Sequence, residues 1–176
     1  MSKIIRMLNR SVRGFTPYYG INCFFAENAT LIGDVKIGDN CSVWYQAVIR
    51  GDVNKIVIGD NVNIQDGAVI HATYEKSSTH IGNNVSIGHN AIVHGCEIEN
   101  NVLIGMGSII MDDCKIESNS IIAAGALLPQ GTIVKSGSVY AGIPAKKIKN
   151  LSKDLQKNEI TRIAKNYLLY ASWFKK

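Results

Sequence analysis

The sequence predicts a mainly β fold: a triangular solenoid of short strands, closed by a C-terminal α-helix. Three observations carry this expectation. An apolar residue recurs at every sixth position, as Phe25, Leu31, Ile37, Val43, Ile49, then Ile58, Ile64, Ile70, then Ile81, Ile87, Val93. It resumes at Ile98 and runs through Ile104, Ile110, Ile116, Ile122, Leu128 and Val134 to Tyr140. Many of these residues are followed by Gly and then Asp or Asn, as in Ile37-Gly38-Asp39-Asn40 and Ile81-Gly82-Asn83-Asn84. After Pro144 the beat stops, and Leu155, Ile160, Ile163, Ala164, Tyr167 and Ala171 take up a roughly helical spacing.

Neither a helix at 3.6 residues nor a half-buried strand at 2 sustains a period of six. A fixed short period means that each unit repeats one local geometry and buries its apolar residue against its neighbours. Gly and Asn tolerate the left-handed backbone angles of sharp corners. Three sixes make an 18-residue coil with three faces.

Met1 to Phe24 reads as a lead-in, with turns at Pro17 and Gly20, and residues 25 to 144 as the repeat region. The ladder steps by nine between Ile49 and Ile58, by eleven between Ile70 and Ile81, and by five between Val93 and Ile98. The two long steps read as insertions at corners, and insertions in repeat proteins gather on one face and often border a binding site. His71 to His80, with Tyr74, Glu75 and Lys76, is the longer protruding loop. Ser152 is the expected N-cap of the C-terminal helix. That helix is expected to pack back along the solenoid, with Tyr167, Tyr170 and Trp173 covering apolar surface. Lead-in and solenoid (1–150) and helix (151–176) then form a single domain.

The chain of 176 residues has room for one substantial core. With 46% hydrophobic and 19% charged residues it reads as globular. The net charge of +5 has its address in Lys146, Lys147, Lys149, Lys153, Lys157, Lys165, Lys175 and Lys176, a solvated surface rather than a nucleic-acid site. Few aromatics are interleaved with basic residues, which argues against base stacking and nucleic-acid binding. No apolar run reaches the length of a membrane span, and Met1 to Arg10 lacks a signal-peptide apolar region, so the expected location is cytoplasmic. Cys23 to Cys41 and Cys96 to Cys114 are each 18 residues apart, one coil, and each cysteine lies two residues before a ladder position. They are expected to stack in buried columns as small hydrophobes rather than to hold zinc or form disulfides.

Three of the four histidines fall in one stretch. His71 and His94 each follow a ladder residue by one on successive coils, so their backbones should lie about 4.8 Å apart. Two imidazoles so placed can share a metal. His89 follows Ile87 by two, on the preceding face of the coil that carries His94. Side chains on two faces of a prism diverge, so His89 is expected to complete the site on a neighbouring subunit of a homotrimer. Arg50 shares the column of His71 and His94, and Asp66 lies one coil below His89. Arg50 and Asp66 are therefore expected to meet across the interface, with Gln65 projecting toward the metal pocket. Asp52 and Asp66 also suit ordinary corner chemistry. His80 lies outside the histidine column and reads as structural or solvated.

Arg50-Gly51-Asp52, Asn63-Ile64-Gln65-Asp66, Ile70-His71, Ile87-Gly88-His89 and Val93-His94-Gly95 resemble the gamma-class carbonic anhydrase-like proteins. These are hexapeptide-repeat trimers with a left-handed parallel β-helix and a C-terminal α-helix, and the resemblance covers nearly the whole chain. It implies that His71, His89 and His94 are metal ligands divided between subunits, holding zinc, with iron or cobalt also accepted by such a site. It implies an activity, the reversible hydration of carbon dioxide to bicarbonate by metal-bound hydroxide. It further implies that Gln65 and Asn63 orient hydroxide and substrate, and that Arg50 and Asp52 lie in the trimer interface. Tyr167 resembles the tyrosine that the C-terminal helix brings toward the site.

Two positions depart from the family pattern. The position three after His71 is Tyr74 rather than a proton-shuttling glutamate, with Glu75 nearby, and the position after Asp52 is Val53 rather than a second glutamate. A metal-binding relative with little or no activity is therefore an alternative. Another is a coenzyme A-dependent acyltransferase, since hexapeptide-repeat transferases share the ladder and the closing Gly142-Ile143-Pro144-Ala145-Lys146 segment.

Overall fold

The computed structural model describes residues 7–174. Lys175 and Lys176 of the basic segment, and the first six residues of the lead-in, lie outside the described residues. Every ladder residue falls into one of three in-register parallel columns. Leu31, Ile49, Ile70, Val93, Ile110 and Leu128 stack on one face. Ile37, Ile58, Ile81, Ile98, Ile116 and Val134 stack on the second. The third holds Phe25, Val43, Ile64, Ile87, Ile104, Ile122 and Tyr140. The aliphatic members are buried inside the prism, from Leu31 to Val134, whereas Phe25 and Tyr140 at the two ends are partly exposed. The architecture is a parallel β-helix.

The corners follow from the sequence with one refinement. In the Ile-Gly-Asp/Asn-Asn units the left-handed residue is the last one, Asn40, Asn61 and Asn84, and Asn101 and Asn119 take the same place where Glu replaces the glycine; all have φ between 56 and 57°. The preceding glycine is needed for room instead. A Cβ on Gly59 would collide with the side chain of Asn83, whose Oδ1 accepts the backbone N–H of Asp60 at 2.8 Å. Asp60 does the same for Asp39 at 2.8 Å, one coil below. A ladder of side-chain acceptors thus satisfies the corner N–H groups.

Two sequence expectations are corrected. The lead-in is itself the first coil, because Leu8–Arg10 and Tyr18–Tyr19 both pair in parallel with Thr30–Ile37. The aliphatic beat is absent there, since the outermost coil has an end open to solvent and Leu8, Phe15 and Ile21 remain exposed. The nine-residue step is no protruding loop: Val48–Ile58 is one continuous strand that turns the corner and absorbs the extra residues as a bulge against Thr30–Ile37. The eleven-residue step does form a loop, with a turn at 74–76.

The four cysteines are free, and Cys41, Cys96 and Cys114 are buried. Burial pushes the Cys96 thiol well above its ordinary value, which keeps it a neutral, unreactive core group.

At the C-terminal end Ala145–Asn150 adds an antiparallel strand to Ser138–Gly142. Ser152 caps the helix, its hydroxyl accepting the Leu155 N–H at 3.2 Å. The helix has three segments: Lys153–Leu155, a π-helical stretch Gln156–Thr161, and Arg162–Ser172. Ile160 and Leu155 pack on Leu103, Ile121 and Val139, the outward residues of the third face. Tyr167 packs edge-on against Trp44 at 5.3 Å. Trp173, expected to cover apolar surface, is instead 66% exposed, as is much of Leu168 and Leu169. No helix among the described residues is long and apolar enough to cross a membrane.

Candidate metal centre

The parallel register pairs His71 directly with His94 on adjacent strands. Both rings lean outward from the first face, and His71 Nδ1 lies 3.1 Å from His94 Nε2. The far nitrogen of each ring meets a carboxylate. His71 Nε2 is 3.1 Å from Asp52 Oδ1, and His94 Nδ1 is 3.1 Å from Asp112 Oδ1. Arg50 Nη1 holds the other oxygen of Asp52 at 2.6 Å. A carboxylate on one imidazole nitrogen keeps the proton there, so the facing nitrogens carry lone pairs.

The local electrostatics keep that arrangement. Burial raises the Asp52 pKa, but the hydrogen bonds from Arg50 and His71 outweigh it and hold the carboxyl below its usual range. Burial likewise raises Asp112, and the bonds from Ser77 and His94 overcome it, so this carboxyl is also depressed. For His71, burial pushes the pKa down and outweighs the raising effect of Asp52. The ring is therefore neutral at pH 7, the form that binds a cation.

His89 stands apart, as its place on another face requires. Its Nδ1 is 2.9 Å from Asp66 Oδ2, and its Nε2 is 3.3 Å from the Tyr167 hydroxyl. Burial, then the charge of Asp66 and the proximity of Tyr170, push the Tyr167 phenol up to about 12, so it stays protonated and can donate to Nε2. Among the described residues, no three His, Cys, Asp or Glu side chains of one chain come together as a metal-binding group. Within the chain Arg50 pairs with Asp52 and Asp66 with His89, so the expected Arg50–Asp66 contact is not an intrachain one.

Gln65 and Asn63 lie on the same face as His89, and both are buried. Gln65 Nε2 donates to Asn63 Oδ1 at 3.0 Å, and Asn63 Nδ2 donates to Ser86 Oγ at 2.7 Å. This relay fixes the Gln65 amide and leaves its carbonyl oxygen as the available acceptor. Gln65, His89 and Tyr167 line one end of a cavity of about 540 Å³ between the helix and the third face, whose walls include Ile104, Ile121 and Ile163. His80 sits on the second face, 3.0 Å from Ser78 Oγ, away from this group.

Sequence reasoning missed Asp112, Ser77, Thr73 and Ser86. Asp112 lies two past Ile110, one coil beyond His94, and in sequence is one more corner aspartate among many.

Comparison with known proteins narrows the family. Residues 95–130 match the family described as bacterial transferase hexapeptide (six repeats). A protein of Methanocaldococcus jannaschii named "Probable carbonic anhydrase" is 47% identical over 85% of this chain and 91% of its own length. Gamma carbonic anhydrase 2, mitochondrial, of Arabidopsis thaliana is 40% identical over 87% of the chain and 56% of that longer protein. The chain belongs to the gamma-class carbonic anhydrase-like family. The crystal structure of a hexapeptide transferase family protein from Anaplasma phagocytophilum has the same fold, with a TM-score of 0.90 and 42% identity over 95% of this chain and 98% of its own.

Proposed function

We propose that the protein is a zinc-dependent carbonic anhydrase-like enzyme that reversibly hydrates carbon dioxide. In this reading His71 and His94 of one subunit and His89 of the partner subunit hold the metal in a homotrimer, with Arg50, Asp52 and Asp66 at the interface. One observation carries it: the two facing ring nitrogens of His71 and His94 at 3.1 Å, each ring with a carboxylate on its other nitrogen. Tetrahedral zinc with Zn–N bonds of 2.0–2.1 Å sets its ligand nitrogens about 3.3 Å apart, so the spacing of these two nitrogens would suit a pair of zinc ligands. A zinc ion with three nitrogen ligands and one open position lowers the pKa of water from 15.7 to about 7 and so supplies hydroxide at neutral pH.

The chain's own groups do the rest. The carbonyl of Gln65 would accept a hydrogen bond from the attacking water or hydroxide and so turn an oxygen lone pair toward carbon dioxide, while Asn63 keeps the amide from rotating. The apolar cavity wall beside Gln65 suits a small nonpolar substrate. The Tyr167 hydroxyl, 3.3 Å from His89 Nε2, would release that nitrogen to a metal and remain as a polar group beside it. Tyr74 lies under Arg13, whose guanidinium carbon is 5.4 Å from its ring centre, and offers no carboxylate for proton transfer. Turnover therefore depends on buffer as the proton acceptor and rises with buffer concentration.

Metal analysis of the purified protein with a carbon dioxide hydration assay tests the reading. Expected are one metal per chain and hydration abolished by chelator and restored by zinc. Stoichiometric metal with hydration at the uncatalysed rate at every buffer concentration would leave the metal-binding relative without this activity. The family description and the Anaplasma structure's name favour a second reading, a coenzyme A-dependent acyltransferase. Saturable acetyl-CoA binding by metal-free protein, unaffected by zinc, would support that reading instead.

A further inference from the structure

Behind His94 lies a group of side chains with no part in the reading above except for one carboxylate. Asp112 Oδ1 faces His94 Nδ1 at 3.1 Å. The same carboxylate accepts the Thr73 hydroxyl, 3.1 and 3.2 Å from its two oxygens, and the Ser77 hydroxyl. Ser77 Oγ also accepts the backbone N–H of Thr73 at 3.2 Å. Thr79 then donates its hydroxyl to the His71 carbonyl at 2.6 Å and accepts the Gly95 N–H at 2.9 Å. Three hydroxyls on one short segment therefore tie together the strands that carry both histidines. Gly95 leaves room for this: its φ is +53°, and a Cβ would collide with the side chains of Asp112 and Ser77.

We propose that Asp112 is a positioning residue for His94, and that the 72–78 segment is the brace that holds Asp112 in place. The proposal rests on the metal-site reading of His71 and His94. A histidine ligand must present one particular nitrogen in one ring orientation, and a carboxylate on its other nitrogen sets both. On the other side of the pair, Asp52 stands in the same relation to His71 and is anchored by Arg50. Among the described residues no guanidinium meets Asp112, and the hydroxyls of Thr73 and Ser77 take that place. The segment that lacks a proton-transfer glutamate thus has a different task, holding the ligand geometry.

The test is zinc affinity by competition with a chelator, the visible spectrum of the cobalt(II) form, and the melting midpoint of the metal-free protein. These are measured for the wild type, Asp112→Asn and Ser77→Ala. Expected is a loss of zinc affinity of about 10–100-fold for Asp112→Asn, with an altered cobalt spectrum and a metal-free midpoint near that of the wild type. Ser77→Ala shows the same changes to a smaller degree. Wild-type affinity and an unaltered cobalt spectrum in Asp112→Asn overturn the positioning role. If Asp112→Asn fails to fold, Ser77→Ala decides, and wild-type affinity there overturns the brace. A wild type that binds neither metal fails at an earlier step and removes the metal reading itself.

Discussion

His71 and His94 face each other across adjacent strands: Nδ1 of one and Nε2 of the other are 3.1 Å apart, while their far nitrogens sit against Asp52 and Asp112. Two acceptors at that distance repel unless a proton or a cation lies between them. Burial opposes a proton on His71. The pairing arises from register alone, since parallel strands stack identical positions of successive coils. Each carboxylate then orients the ring it touches, and on the proposed reading the two nitrogens that face each other are the ones offered to a metal.

A site divided between subunits predicts complementation. His89→Ala and the double variant His71→Ala/His94→Ala should each fold and bind no zinc. Mixed and allowed to exchange subunits, they should regain part of the binding, because an intact His89 then meets an intact pair. Stoichiometric zinc in His89→Ala alone, or no recovery on mixing, would sink the shared site.

The core ladder makes a stability prediction independent of the metal. Ile116 is fully buried in the second column, on a different face from His71, His89 and His94. Ile116→Ala should cost about 2–5 kcal/mol in denaturant unfolding and leave zinc affinity unchanged. Ile133 stands beside that column at 53% exposure, and Ile133→Ala should stay within about 0.5 kcal/mol.

The three columns were legible because the period of six repeats over many coils, and a single register error would have misplaced every later residue. The placement of His71 over His94 came from the same counting. The outermost coil was hidden because Leu8–Arg10 and Tyr18–Tyr19 bury few apolar side chains and so carry no beat. The long strand Val48–Ile58 was hidden because a bulge and a loop both appear in sequence as extra residues. Asp112 was hidden because its role depends on a loop folding over it, through Thr73 and Ser77, from 39 and 35 residues away. Periodicity reports the stacked positions and is silent about side chains that reach across them.

Acid stability should depend on Glu99. Its carboxylate accepts the Ser118 N–H at 3.0 Å and the Ser118 hydroxyl at 2.9 Å, and these bonds, the backbone one foremost, lower its pKa below 4.5. A depressed acid pKa means that the folded state binds the proton less readily than the unfolded chain. The stabilisation is therefore fully present above the unfolded value near 4.5 and is lost as pH falls through the lower folded value. Glu99→Gln should melt below the wild type at pH 7, with the gap closing as pH falls below 4.5. A gap independent of pH would exclude the charge as its source.

The amide relay predicts a separation of rate from metal binding. Gln65 can accept a hydrogen bond from the attacking water only with its carbonyl turned to the site, and Asn63 Oδ1 sets that orientation by binding the amide Nε2. Asn63→Ala frees the amide to rotate and leaves Ser86 without its donor. With zinc occupancy unchanged, kcat/KM for carbon dioxide hydration should fall by up to about 10²-fold, the scale for a misplaced catalytic group. Asn63→Asp keeps an oxygen facing Gln65 Nε2, and the Ser86 hydroxyl can rotate to donate to its other oxygen, so it should retain most of the rate. Equal losses in both variants would show that the position needs the asparagine for packing alone, and wild-type turnover in metal-replete Asn63→Ala would remove Gln65 orientation from the mechanism.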